Sequence, residues 1–277
     1  MQIEMNLLDL MSIEYRRSRW ALYSSLGSAV LVYIVVLMDA ITKHQWSELL
    51  ALIAFMLQIA SLLLKSYSSG HYDSAEEIRR ASVLSDGLGI QPAELQVSCI
   101  VARVGVGAPP KRLVSGRYFA SQEPKGVPRF LDDIAESAFW TDHVAAWTSR
   151  GGFVLAGVGV LLTFIALAEL ASAGVGAERM KAFAEAAIIT FGFVVTGELL
   201  VLSLQYQYLS RKAREKMEAA GTLLSGFSAD REGALLLFGE YNCALAGAPP
   251  LPTFIYQLLQ KKLDAAWAAR KGTLDVQ

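Results

Sequence analysis

The stretch WALYSSLGSAVLVYIVVLM, Trp20 to Met38, contains no Asp, Glu, Lys or Arg. A helix needs roughly 20 apolar residues to cross about 30 Å of hydrocarbon, so this run is long enough to span a bilayer. A second run, LLALIAFMLQIASLLL from Leu49 to Leu64, follows a short polar tip. It is shorter in its apolar part, and Ser47 to Ser66 completes a span when the polar ends sit among headgroups. The pair recurs as GFVLAGVGVLLTFIALAEL, Gly152 to Leu170, and AAIITFGFVVTGELLVLSL, Ala186 to Leu204. The chain therefore reads as an all-α integral membrane protein with four transmembrane helices arranged as two hairpins. A buried hairpin in a soluble bundle is the other reading, and the uncharged run from Ala21 to Met38 argues against it.

Composition points the same way. Hydrophobic residues make up 53% of the chain and charged residues 18%, with a mean hydropathy of +0.37. That is too apolar for an ordinary soluble domain. The charges cluster: Arg16, Arg17 and Arg19 precede the first run, Lys65 follows the second, Arg150 precedes the third, and Arg211, Lys212, Arg214 and Lys216 follow the fourth. The hairpin tips carry only Lys43, and Arg179 with Lys181. Basic residues stay on the cytoplasmic side, so both termini and the central loop are expected there. Trp20, Tyr67, Trp147, Tyr206 and Tyr208 at that boundary, and Trp46 at the other, fit interfacial anchoring. No cleavable signal peptide is expected, because the first apolar run starts at position 20 and lacks a small-residue cleavage pattern.

Five segments follow from this topology: residues 1–19 as a cytoplasmic or interfacial helix, 20–66 as the first hairpin, 67–150 as a helical cytoplasmic insert, 151–206 as the second hairpin, and 207–277 as a helical cytoplasmic tail. Ile3, Leu7, Leu10 and Ile13 recur at helical spacing, which suits either the membrane surface or packing on the cytoplasmic part. The insert exceeds eighty residues and should carry structure of its own. Ser74-Ala75-Glu76-Glu77 reads as a capping box opening a helix that ends near Gly87 and Gly89. Pro92 suits the start of a helix over Ala93 to Arg103, and an amphipathic helix runs from Pro128 toward the third span. After the fourth span the helix should continue through Ser210 to Ala220, Asp230 should cap a helix from Arg231 to Ala246, and a last helix should cover Thr253 to Lys271.

Inside the spans, Glu198 stands out. An ionised carboxylate at that depth costs about 2.5 to 3.5 kcal/mol on insertion scales, so it should face the bundle interior or water, or keep its proton. Gln58 and Ser28 fall at nearly the same level and can hydrogen-bond a carboxyl group. Together they predict an intramembrane polar layer, either lining a pore or fixing helix packing. Gly152, Ala156, Gly157 and Gly159 on the third span permit close helix approach. In the insert, Arg112, Arg117 and Arg129 bracket Tyr118 and Phe119, a combination that can hold phosphate and stack a base, or can be ordinary surface charge.

Other chemistry is sparse. His44, His71 and His143 have no metal-ligand spacing, and Cys99 with Cys243 suggest neither a disulfide framework nor a metal site. Asp132, Asp133 and Glu136 read as a solvated helix face. No nucleophile, acid and base converge, so no enzyme, cofactor or metal is expected. The insert from Lys65 to Arg150 has ten basic and ten acidic residues, which gives no surface for a nucleic acid duplex.

Tyr241-Asn242, Ala248-Pro249, Leu251-Pro252, Ile255-Tyr256, Lys262-Leu263 and Trp267 resemble the C-terminal pattern of bacterial four-transmembrane effectors associated with SMODS nucleotidyltransferases. The order of two spans, insert, two spans and tail is similar too. In the insert this chain departs from the family's aromatic-rich pattern, reading Arg117-Tyr118-Phe119-Ala120-Ser121. The resemblance implies a non-enzymatic effector of anti-phage signalling, triggered by a cyclic oligonucleotide from a nucleotidyltransferase partner. Such an effector would form homo-oligomers in the lipid bilayer and disrupt the inner membrane. The Pro128 helix would be its lever and Gly151-Gly152 its hinge. A small channel or transporter subunit, or a membrane anchor for a cytoplasmic complex, are the alternatives. Glu198→Gln is expected to weaken membrane activity without impairing insertion. Unchanged activity in an equally expressed, correctly inserted variant would show that Glu198 only packs.

Overall fold

A computed structural model describes residues 7–41, 47–105, 119–172, 198–226 and 230–274. The described residues form helices and no strands: α1 (Leu7–Ile41), α2 (Ser47–Gly87), α3 (Glu94–Val104), α4 (Val127–Ser172), α5 (Glu198–Ser225), α6 (Arg231–Ala246) and α7 (Thr253–Leu274). They divide into two compact units. One, the helical unit, comprises residues 1–19, 69–147 and 206–277. The other, the apolar unit, comprises 20–68 and 148–205. Most of the fourth expected span, residues 186–197, lies outside the described residues.

Among the described residues two helical stretches are long and apolar enough to cross a membrane, Glu48–Gly87 and Val127–Leu161. Their most apolar windows are only 6% and 22% buried within the chain. The core helix of a soluble domain is buried through such a window, and these windows are mostly exposed. The apolar unit places large side chains outside and small ones inside. Leu52, Phe55, Leu63, Val154, Leu155 and Phe164 point outward, whereas Ala21, Ser25, Ala29, Ser61, Ser149, Ala156 and Ser203 are buried. Without a hydrophobic drive between helices, small residues and side-chain hydrogen bonds do the packing. Ser25 and Ser61 clasp α1 to α2: their hydroxyls lie 2.9 Å apart, Ser25 Oγ reaches the Ser61 carbonyl at 3.0 Å and Ser61 Oγ reaches the Ser25 carbonyl at 3.2 Å. Between α4 and α5, Ser149 Oγ donates to the Ser203 carbonyl at 2.8 Å.

Several helices are longer than the sequence suggests. The expected capping box at Ser74 is not a helix start: α2 runs unbroken through it, and Ser74 Oγ donates to the Gly70 carbonyl one turn back, at 3.0 Å. A serine whose preceding turn stays helical uses that carbonyl instead of capping. The Pro128 helix and the third span are likewise one helix, α4, continuous through Gly151 and Gly152. Gly152 marks a close approach. A Cβ there would fall 2.1 Å from Ser203 Oγ.

The helical unit keeps a conventional apolar core. Leu10, Met11 and Ile13 of α1 pack with Ile78 of α2 and with Ile100 and Val104 of α3. Of the two readings of the N-terminal segment, this is packing on the helical part. Gly105 ends α3 with φ 60°, its N–H bonded to the Val101 carbonyl, a left-handed cap that glycine adopts without strain. Asp230 caps α6 as its sequence suggests, its Oδ1 accepting the Gly233 N–H at 2.6 Å. The end of α2 meets α4 through Gly87: its carbonyl accepts the Gly126 N–H at 2.8 Å, and a Cβ would lie 2.8 Å from the Phe130 backbone.

Gly152→Ala should lower the stability of the detergent-solubilised protein by about 1 to 3 kcal/mol, the usual cost of overpacking. Adding Ser203→Ala should recover most of that loss, because the clash is with the hydroxyl. Thermal melts of the single and double variants check this, and a single variant as stable as wild type would refute the close contact.

Candidate functional site

A cavity of about 640 Å³ lies within the helical unit. Four helices and the 119–120 segment supply most of its wall: Tyr15 and Arg19 from α1, Tyr72, Glu76 and Arg79 from α2, Glu136, Ser137, Trp140 and Thr141 from α4, and Tyr241 from α6. Tyr256 and Asp264 of α7 complete it. Small-molecule pockets have this size and this mixture of aromatic surface with a few fixed polar groups.

Arg79 organises the chamber. It is 4% exposed, and its Nε donates to Glu76 Oε2 at 2.7 Å while Nη2 donates to Asn242 Oδ1 at 2.6 Å. Its guanidinium stands 5.5 Å from the centre of the Tyr241 ring. Burial alone would lower the pKa of Arg79, but the Glu76 carboxylate overcomes it and raises it, so the group stays charged. The Tyr15 hydroxyl donates to the other Glu76 oxygen. Nη1, by contrast, has no hydrogen-bond partner among the described residues.

The aromatic walls are held as firmly. Tyr241 is fully buried, its hydroxyl 2.8 Å from Thr141 Oγ1 and 3.2 Å from Ser137 Oγ. Burial raises its pKa and, more strongly, that of Tyr72, where the Glu76 charge adds to the effect, so both keep their protons. Trp140 and Tyr256 face each other with ring centres 4.9 Å apart. Burial and then the nearby Asp264 and Glu136 carboxylates raise the Tyr256 pKa. Glu136 itself is raised by burial, against the Ala120 N–H that it accepts at 2.8 Å.

The sequence-predicted residues fall elsewhere or only partly here. Arg112, Arg117 and Tyr118 lie outside the described residues. Arg129 is buried away from the cavity wall, its Nη2 paired to Asp86 Oδ1 at 2.7 Å and its Nη1 donating to the Glu123 carbonyl at 3.1 Å. Of the expected intramembrane layer, Gln58 is exposed and Ser28 half-buried, and the side chain of Glu198 lies outside the described residues. The buried polar contact in that region is the Ser25–Ser61 clasp, which sequence spacing did not single out. The acidic face on α4 is not solvated: Asp133 is fully buried and Glu136 nearly so, because the segment from Ala120 to Glu123 binds along residues 129 to 136. Tyr241, Leu251 and Tyr256, on which the family resemblance rests, are cavity residues, and Asn242 holds Arg79.

Asp133 is a second buried charge site. Neither of its oxygens, nor Arg129 Nε, nor Ser121 Oγ, has a hydrogen-bond partner among the described residues. Burial and then the Asp86 charge push the Asp133 pKa up to about 8, with Arg129 opposing. No protein family, curated protein or solved structure matches this chain.

The Asp133 shift has a definite sign for stability. The folded protein holds this proton up to about pH 8, whereas the unfolded chain releases it near pH 4, so the stabilisation is complete below about pH 4 and is lost as pH rises to about 8. Within that window each pH unit can remove up to about 1.4 kcal/mol. Asp133→Asn should flatten this slope and be the more stable protein above pH 8. Melting curves between pH 5 and 9 measure it, and parallel slopes for the two proteins would contradict the assignment.

Proposed function

We propose that this chain is a membrane effector that is held closed until its helical unit receives a signal, and that then permeabilises a bacterial inner membrane. The observation that carries the reading is continuity: α1, α2 and α4 each supply walls of the cavity and run on, unbroken, into apolar stretches. A ligand that rearranges Tyr15, Arg79 or Trp140 therefore acts on the same helices that carry the apolar residues. The exposed large side chains of residues 49–64 and 152–165 support a lipid environment. Four spans, with both termini and the helical unit on the cytoplasmic side, agree with the basic residues flanking the runs. Homo-oligomerisation would supply the stoichiometry for a pore.

The resemblance to the SMODS-associated effectors adds a setting, anti-phage defence, and a trigger, a cyclic oligonucleotide made by a nucleotidyltransferase partner. Such a trigger shifts the equilibrium only through tighter binding to the open state. No step of bond-making chemistry is required, which fits a non-enzymatic role.

Expression in cells loaded with a membrane-potential dye should cause depolarisation and growth arrest only when the partner nucleotidyltransferase is active. Depolarisation independent of that partner, or solute uptake without growth arrest, would overturn the effector reading in favour of a channel or transporter.

A further inference from the structure

We infer that the first two turns of α7 rest on a lipid surface, with Phe254 and Leu258 among the headgroups and Lys261 and Lys262 facing anionic lipid. The inference rests on the reading of the apolar runs as membrane spans. Three observations carry it.

The first is the face itself. α7 turns Leu259, Leu263 and Trp267 inward, all buried, and leaves Phe254 and Leu258 outward at 62% and 72% exposure. Leu258 is the most exposed large apolar side chain among the described residues. Residues four apart share a helix face, so the pair forms one apolar spot and not two isolated ones. The second is depth. α5 runs unbroken from Glu198 to Ser225, and on it the chain enters the helical unit at Tyr206. The Tyr206 hydroxyl donates to the Pro250 carbonyl at 2.8 Å, which fastens the turn before α7 at that level. Phe254 is the second residue of α7, so it starts beside this anchor. Trp147 on α4 and Tyr208 on α5, both exposed, lie within two residues of where the chain passes between the units. Aromatic side chains collect in this way at a membrane surface.

The third is charge. Lys261 falls on the same helix face as Phe254 and Leu258, with Lys262 beside it, and both lysines are exposed. From its anchored start α7 leads away: Tyr256 lies against Trp140, and Lys271 reaches Asp132, further from the apolar run of α4. At a rise of about 1.5 Å per residue Lys261 lies about 10 Å beyond Phe254, roughly one Debye length, so an anionic surface at the level of Phe254 still attracts it. Apolar residues at the surface with lysines just behind them bind anionic lipid by burial and charge together. A second copy of this face would bring its own two lysines into the contact, whereas anionic headgroups neutralise them.

The test is electron paramagnetic resonance on the full chain in lipid nanodiscs. One nitroxide is placed by Phe254→Cys or Leu258→Cys, after Cys99→Ser and Cys243→Ser remove the two exposed native thiols. Leu155→Cys in the apolar unit and Leu236→Cys on α6, both exposed in the native chain, are the references for lipid and for water. Leu236 is close in sequence to Phe238, which packs on Phe130, about 25 Å back along α4 from Trp147. Collisions of the label with oxygen report lipid, and collisions with a nickel chelate report water. In discs of phosphatidylcholine with phosphatidylglycerol, the oxygen-to-nickel ratio at 254 and 258 should exceed that at 236 by about threefold or more. Lys261→Glu together with Lys262→Glu should lower the ratio at 254 about twofold in these discs and leave it nearly unchanged in phosphatidylcholine alone. Variants are accepted when their helical circular dichroism matches wild type, and Leu258→Cys serves alone if Phe254→Cys does not fold. The inference is overturned if 254 and 258 match 236, or if the lysine substitutions change nothing in the anionic discs. It is also overturned if both probes lose access while labels of two chains broaden each other, which would seat a second copy there. Because 155 is read in the same discs, lipid at 155 without lipid at 254 retires this inference alone. Water at 155 with lipid at 254 retires the spans and keeps the docking face.

Discussion

The buried guanidinium of Arg79 is the constraint from which the helical unit is built. A charge removed from water has to find partners whose combined attraction offsets several kcal/mol of lost hydration, and those partners must arrive from different parts of the chain. Glu76 comes from the same helix, Asn242 and Tyr241 from α6, and Tyr15, through Glu76, from α1. Tyr241 in turn reaches α4 through Thr141 and Ser137. One cation thereby fixes the mutual position of four helices more tightly than apolar packing would, since a leucine core tolerates sliding and a set of directed hydrogen bonds does not. The cavity is the space left between those fixed walls.

The apolar unit obeys the opposite rule. Its large side chains mostly turn outward and its buried residues are largely serine and alanine, so helix association depends on short-range fit and hydrogen bonds between hydroxyls and carbonyls. Ser25 and Ser61 each reach the other's carbonyl, and Ser149 reaches that of Ser203, while the Ser203 hydroxyl bonds the Leu199 carbonyl of its own helix. Hydroxyl contacts of this kind are individually weak. The same helices obey both rules along their length. In α4, Phe130 to Val144 are packed into the helical unit, and Val154 to Phe164 face outward.

Much of this was legible in the residues because the two rules write different patterns. Long uncharged runs revealed α2 and α4 as potential spans, and Asp230 marked the start of α6. Local signals failed where a helix had no reason to stop. Ser74 has the residues of a cap yet sits mid-helix, because α2 is held on both sides of it by Ser61 and Ile78. The cavity was illegible for a different reason. Its residues are scattered from position 15 to position 264, and Arg79 looks like any other basic residue until Asn242, 163 residues away, is brought to it. Asp133 looked like part of a charged surface because the segment that covers it, 120–123, has no pattern that announces where it packs.

The helix that lines the cavity with Glu136, Ser137, Trp140 and Thr141 is the one that carries the third apolar run. Gly151 and Gly152 are helical, and Gly152 is a contact point against Ser203, so α4 is continuous through both glycines. In any element with two packings the response to a ligand is set by how differently the two bind it. Moving a population from about 1:99 to 99:1 requires a difference near 10⁴ in affinity, about 5.5 kcal/mol.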